Sequence, residues 1–271
     1  MRLPDFPWAW QMIREGQAGF LFAELWARIY KRIHEWLFAL RYNVFGKTTP
    51  HVAPQITLDT KHPVAFESPD HLMPWGTSRD NNTNKKFVTL LNTRLQREFP
   101  NLTRRYLDLG CSGGQLVKDF CDLGWIGIGL EGSDFSKKHR RANWATMTDK
   151  NLFTCDITKP FRLQSTTAQA RFHLITMWEV LEHIHERDLP QVFGNIIQHL
   201  EPGGYFIAST SSTPDIHDGV DLHQTRWPNA QWRAMIAKNH PELEWAELGM
   251  KYYHFVRLNQ DFSYLTLRKK R

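Results

Sequence analysis

The nine residues Tyr106-Leu-Asp-Leu-Gly-Cys-Ser-Gly-Gly114 constrain the fold of this chain more than any other stretch. An apolar strand ends at Leu109, glycines turn the backbone, and a helical pattern opens at Gln115. In open α/β sheets ligands bind at this kind of carboxyl-edge turn. The residues after Pro100 keep alternating in the same way. The pattern predicts strands over Tyr106–Leu109, Trp125–Leu130, Asn151–Cys155, Phe172–Met177 and Tyr205–Thr210. Helices are predicted over Gln115–Leu123, Arg187–Leu200 and Pro228–Asn239. Alternation on this scale implies a mostly parallel sheet covered by helices on both faces. Two closing strand-like stretches, Lys251–Leu258 and Phe262–Leu267, with Asn259-Gln260-Asp261 as the turn, predict a terminal antiparallel strand.

With 271 residues, 41% hydrophobic and 23% charged, the chain has room for one large domain or a domain plus an extension. That balance excludes a largely disordered chain. The extension is the aromatic-rich stretch 1–60. Between Gln17 and Tyr42, Phe22, Trp26, Ile29, Ile33, Trp36 and Leu40 recur at threes and fours and form one apolar stripe. The stripe suits packing on its own domain or on a second copy. It also suits a helix lying in a membrane interface, where Trp, Phe, Arg and Lys are at home. Gly46 and the stretch from Pro50 to Pro54 read as a linker. The turn-rich segment 62–84 reads as a lid-like loop over a site, and Asn84 as the cap of a helix running to Phe99. The main domain is expected over 61–271.

Cys111, Cys121 and Cys155 are too few and too scattered for a disulfide framework, which fits a reducing, cytoplasmic setting. No secretory leader and no membrane-spanning run is read in the sequence. Of the net charge of +6, four charges lie in Arg268–Arg271, leaving +2 for the rest. That leaves little for a basic groove, so a nucleic-acid partner is disfavoured.

The charge of the Tyr106–Gly114 turn selects the ligand. Asp108 stands two residues before Gly110, where a carboxylate repels a pyrophosphate and suits a ligand with cationic groups. Ser112 occupies the place of the second glycine in G-x-G-x-x-G. Glu131 ends the next strand, where an acid can accept from both ribose hydroxyls. Asp156 ends the one after, within reach of an adenine amino group. On these residues the stretch 105–210 resembles the class I S-adenosylmethionine-dependent methyltransferases, as does the turn Leu200-Glu-Pro-Gly-Gly204. The resemblance implies a Rossmann-like α/β fold with a seven-stranded sheet. It also implies S-adenosylmethionine as cofactor, bound by Asp108, Gly110, Cys111, Ser112, Gly113, Glu131, Asp156 and Trp178. Ser112 departs from the glycine that many members carry, and its small size should let the loop survive.

The fourth strand runs into Trp178-Glu-Val-Leu-Glu-His183. If helical, this stretch puts Glu179, Glu182 and His183 on one face, a set suited to a divalent cation or simply to orienting the helix. Asp221-Leu-His-Gln-Thr-Arg-Trp227 follows the fifth strand. Together these motifs resemble the metal-dependent small-RNA 3′-terminal 2′-O-methyltransferases. The first also resembles the ubiquinone-pathway O-methyltransferases. The resemblance implies Glu179, Glu182, His183 and His223 as ligands of Mg²⁺ or Mn²⁺, with His217 competing for the fourth place. His183 or His223 could serve as base if no metal binds.

The expected activity is O-methylation of a polyhydroxyl acceptor, a sugar or glycan offering a vicinal diol. Peripheral membrane association through residues 17–42 would bring the enzyme to lipid-linked glycans. An RNA 3′-terminal ribose, a catechol or quinone precursor, and a non-catalytic scaffold are the alternatives.

Overall fold

The structure is a computed structural model. It describes residues 56–72, 81, 85–100, 102–165, 168–248 and 262–271, together with Arg14, Ile29, Ile33, Trp36, Leu37 and Leu40. The chain divides into two compact units, Met1–Lys47 and Thr48–Arg271.

In the first unit the described residues are helical and exposed. Ile33 is 52% and Trp36 63% exposed, and Ile29, Leu37 and Leu40 are exposed with them. Their spacing puts all five on one side of a helix. Among the described residues no helix is long and apolar enough to cross a membrane.

The second unit is built on a seven-stranded sheet, and it also holds a short antiparallel pair, β8 (Ile216–His217) and β9 (Val220–Asp221). The strands of the large sheet are β2 (Arg105–Leu109), β3 (Ile126–Glu131), β4 (Leu152–Thr154), β6 (Phe172–Trp178), β7 (Leu200–Ser211), β10 (Leu243–Trp245) and β11 (Phe262–Lys269). Their order is β10-β11-β7-β6-β2-β3-β4. The pairs from β7 through β6, β2 and β3 to β4 are parallel, and β11 is antiparallel to both β7 and β10. The expected sheet is therefore present, with its antiparallel strand inserted one place from the edge. The terminal hairpin was expected to use Lys251–Leu258, which lies outside the described residues. Among those described, β11 pairs instead with Leu243–Trp245.

Buried side chains of both sheet faces make the core, with Leu107, Leu109, Ile128, Leu130, Ile175, Met177, Phe206 and Ala208 at its centre. Strands buried on both faces must be apolar almost throughout, and β6 is buried at every residue but its last. Helix α2 (Lys85–Glu98) presents Phe87, Val88, Leu91 and Leu95, all 0% exposed. At about 1.5–3 kcal/mol per buried apolar side chain this stripe, rather than helix propensity, holds the element. The polar Asn92 on the same side accepts from the Trp125 indole N–H at 2.8 Å.

The chain passes outward from β2 to β3 and β4, then returns to the other side of β2 with β6 and β7. The carboxyl ends of β2 and β6 therefore flank the point where strand order reverses, the crevice in which open α/β sheets bind ligands.

One element was not anticipated. Strand β1 (Ile56–Thr60) pairs antiparallel with β5 (Phe161–Ser165) from Ile56↔Ser165 to Thr60↔Phe161. Strand β1 thus belongs to the second unit. From β1 the chain crosses the ends of β3 and β4 as a strap. The Asp156 N–H donates to the His62 carbonyl, and the Ala65 N–H to that of Gly132, each at 2.9 Å. The strap ends in a single turn, α1 (Pro69–Leu72). Of the expected loop 62–84, residues 73–80 and 82–84 lie outside the described residues.

Candidate active site

The turn after β2 leads into α3 (Gln115–Asp122). Gly110 has a φ of +80°, and a Cβ there would stand 2.3 Å from Val180 Cγ2. Both the dihedral and the contact require glycine. Ser112 also takes a left-handed φ, 46°. Its neighbours hold it there. The Ser112 N–H donates to Glu131 Oε2 at 2.8 Å, Trp144 Nε1 to the Ser112 carbonyl at 2.7 Å, and Arg141 Nη2 to Ser112 Oγ at 3.0 Å. Serine at this position is thus locked rather than merely tolerated. Gly113 lies against Asn81, whose Oδ1 accepts the first helical N–H, that of Gln115, at 3.1 Å. The cap of α3 therefore comes from a distant residue, which local sequence cannot signal.

The three acids stand at the ends of three adjacent strands. Asp108 accepts from the Thr176 hydroxyl at 2.6 Å, and Tyr106 Oη lies 2.6 Å from the same hydroxyl. Burial pushes the Asp108 carboxyl up to about 7. Burial also lifts Glu131 to about 7, against the pull of the Ser133 and Ser112 N–H groups. Asp156 accepts from the Thr158 N–H at 2.9 Å and from its hydroxyl at 2.6 Å. All three line one open cavity of about 440 Å³. That is enough for a nucleoside-sized ligand with room beside it.

Gly110, Cys111, Ser112, Trp178, Glu179, His183 and His223 share that cavity with the three acids. Gly113, Glu182 and His217 do not line it. The strap, which the sequence motifs did not reveal, adds Ser68, Asp70 and His71, and the loop after β7 adds Asp215.

The acceptor-side motif is not the helix face expected of it. Glu179 has a left-handed φ of 51°, and only Leu181–His183 form a short 3₁₀ turn. That geometry breaks the i, i+3, i+4 spacing. Glu182 is 0% exposed and faces inward. Its Oε1 accepts the Ser211 N–H at 2.9 Å, and burial pushes its carboxyl up to about 8. His217 lies 3.0 Å from Asp215 Oδ1. Among the described residues no three His, Cys, Asp or Glu side chains are grouped to hold an ion. Glu179, Glu182, His183 and His223 are therefore not grouped as the Mg²⁺ or Mn²⁺ centre that the motif implied.

The two histidines do meet. The rings of His183 and His223 stand edge to face with centroids 4.8 Å apart. His223 Nδ1 is 2.5 Å from the Thr213 carbonyl oxygen, so this nitrogen carries the proton and Nε2 holds the lone pair. The loop carrying His223 is tied down by the Glu182 main-chain carbonyl, which accepts the N–H groups of Gln224 and Thr225 at 2.6 and 2.9 Å. Burial, with His223 beside it, depresses His183 to about 4. Its Nδ1 is buried without a protein hydrogen-bond partner.

The family described as "Methyltransferase domain" matches residues 81–266. No curated protein matches the chain significantly. Among solved structures, the plantazolicin methyltransferase BpumL, bound to a pentazolic desmethyl analogue and S-adenosylhomocysteine, shares 13% identity at a TM-score of 0.51. The match covers 76% of this chain and 93% of that one. An S-adenosylmethionine-dependent methyltransferase from Clostridium acetobutylicum shares 14% identity over 74% of this chain and 97% of that one, at a TM-score of 0.49. The family match spans most of the chain. The chain belongs to the methyltransferase-domain family, and it is an S-adenosylmethionine-dependent methyltransferase.

Proposed function

We propose that the chain methylates a hydroxyl of a polyhydroxylated, saccharide-like acceptor, with His223 as general base. The observation that carries this reading is the His183–His223 pair, which lines the same cavity as the three cofactor-side acids. Bound S-adenosylmethionine supplies a methyl group on a sulfonium, whose departure as a neutral thioether needs no help from the protein. A hydroxyl acceptor does need help, because its proton must leave as the new bond forms. His223 Nε2 takes that proton, and the Thr213 carbonyl keeps the ring in the tautomer that can do so. At about 4, His183 is too weak to take a proton at neutral pH. Asp108, Glu131 and Asp156 hold the cofactor, the last two through ribose hydroxyls and the adenine amino group.

The test is His223→Ala in a labelled methyl-transfer assay on a glycoside panel. Turnover should fall by about 10²–10⁴ while S-adenosylmethionine affinity stays within about twofold. Full activity in His223→Ala, or loss of activity on chelator treatment, would contradict the assignment.

A further inference from the structure

Six described residues other than glycine take a left-handed φ, and three of them surround one hydrogen bond beside the cofactor turn. Ser112 is at 46°, and Arg140 and Ala142 are at 48° and 50°. The bond runs from Arg141 Nη2 to Ser112 Oγ, at 3.0 Å. Neither arginine nor alanine adopts this conformation without cost, so the surrounding contacts must hold the kinks in place.

The kinked residues lie in the crossover between β3 and β4. A single helical turn, α4 (Phe135–Lys138), precedes them, and another, α5 (Trp144–Met147), follows. The Arg141 N–H donates to the Ser136 carbonyl at 2.9 Å, and Nε donates to Ser136 Oγ at 3.1 Å. Ser136 is buried, so one edge of the guanidinium is anchored while Nη2 reaches Ser112. The next two residues grip the same turn. The Asn143 N–H donates to the Gly113 carbonyl at 3.1 Å, its side-chain amide to Gln115 Oε1 at 3.1 Å, and Trp144 Nε1 to the Ser112 carbonyl at 2.7 Å. The indole of Trp144 and the N–H of Asn143 hold main-chain oxygens, which any residue offers. Arg141 holds a side-chain hydroxyl, which glycine lacks.

Ser112 carries this restraint into the cofactor site. Its N–H donates to Glu131 Oε2 at 2.8 Å, and the Ser133 N–H holds the other oxygen, Oε1, at 3.2 Å. Ser112 and Glu131 line the cavity, whereas Arg141 and Ser136 do not. We propose that Arg141 is a positioning residue for the cofactor: it keeps Ser112 in its left-handed conformation, and Ser112 in turn keeps the Glu131 carboxylate aimed at the ribose. The inference is independent of the acceptor, and it rests on the placement of Glu131 at the ribose given above. It accounts for the strain at Arg140 and Ala142, which seats one guanidinium, and for a serine where many relatives of this fold carry glycine.

The test is calorimetry of S-adenosylhomocysteine binding to the full-length protein, Arg141→Ala, Ser112→Gly and the double variant. Arg141→Ala should weaken binding about tenfold, as the loss of one charge-assisted hydrogen bond implies. Glycine takes a left-handed φ without strain and has no hydroxyl to be held. In the Ser112→Gly background Arg141→Ala should therefore change the affinity by less than about twofold. Arg141→Met keeps the half-buried stem and removes the donors, and it makes the same comparison if the alanine variant does not fold. An equal loss in both backgrounds would overturn the proposal, because Arg141 would then act as a support of its own segment or as a distant charge. Undiminished binding in both Arg141→Ala and Arg141→Met would overturn it too. Glu131→Ala separates this from the reading beneath it. Undiminished binding there refutes the ribose placement, whereas a loss there with none in the Arg141 variants refutes the positioning role alone.

Discussion

Replacing Glu182 by glutamine should make the protein more stable, and increasingly so as pH rises. Glu182 is 0% exposed, and burial raises its carboxyl from 4.5 to about 8. Below about pH 4.5 the side chain is protonated in both folded and unfolded chains and contributes no penalty. Above that the unfolded chain ionises while the folded side chain keeps its proton. Stability then falls by about 1.4 kcal/mol per pH unit until the folded group itself titrates near 8. At pH 7 the accumulated cost is about 3 kcal/mol. Glutamine keeps an oxygen for the Ser211 N–H, now 2.9 Å away, and removes the ionisation. Its amide must find a partner near Thr210, which offsets part of the gain, so a net stabilisation of about 1–3 kcal/mol is expected at pH 7. Urea denaturation of both proteins at acid and neutral pH measures it. A variant that is destabilised at pH 7, or a difference that does not grow with pH, would refute the reasoning. Because the Glu182 carbonyl anchors the His223 loop through backbone bonds alone, Glu182→Gln should also keep methyl transfer, whereas a metal ligand could not be replaced so cheaply.

Two further outcomes are expected. Asp108 and Glu131 both sit near 7 in the ligand-free protein, so S-adenosylmethionine should bind more tightly as pH rises from about 6 to about 8, with proton release. Calorimetry in buffers of different ionisation enthalpy reads this, Glu131→Ala should weaken binding by about 1–3 kcal/mol, and a flat pH profile would count against it. The exposed Ile29, Ile33, Trp36, Leu37 and Leu40 make the expected membrane association of residues 17–42 testable. Full-length protein should therefore co-sediment with liposomes, deletion of 1–45 should abolish this, and failure of the intact chain to bind would remove the membrane reading.

The sheet was legible because its strands are short apolar runs punctuated by glycine, and the three acids because they stand at strand ends that periodicity locates. The motif after β6 was misread for a local reason. The residues Trp178–His183 are compatible with a helix, but Glu179 takes a left-handed φ and Leu181–His183 tighten to a 3₁₀ turn. Spacing in sequence therefore did not become spacing on a face, and Glu182 turned into the core. The strap was missed because β1 finds its partner about a hundred residues later, in β5, and neither strand carries a turn signal that names the other. Asp70, His71 and Asn81 reach the site only through that pairing and through contacts with the β2 turn. Asp215 could have been suspected, since the loop holding His223 was already under consideration. The Ser112 departure from the family pattern became intelligible only with Arg141 and Trp144 in view.

The most direct measurement is a mass-spectrometric methyl-transfer assay with labelled S-adenosylmethionine, a panel of glycoside acceptors and excess chelator. The account predicts one labelled methyl group on an acceptor oxygen, undiminished by the chelator and lost in His223→Ala. It is contradicted if no transfer occurs although the cofactor binds, or if transfer requires an added divalent cation.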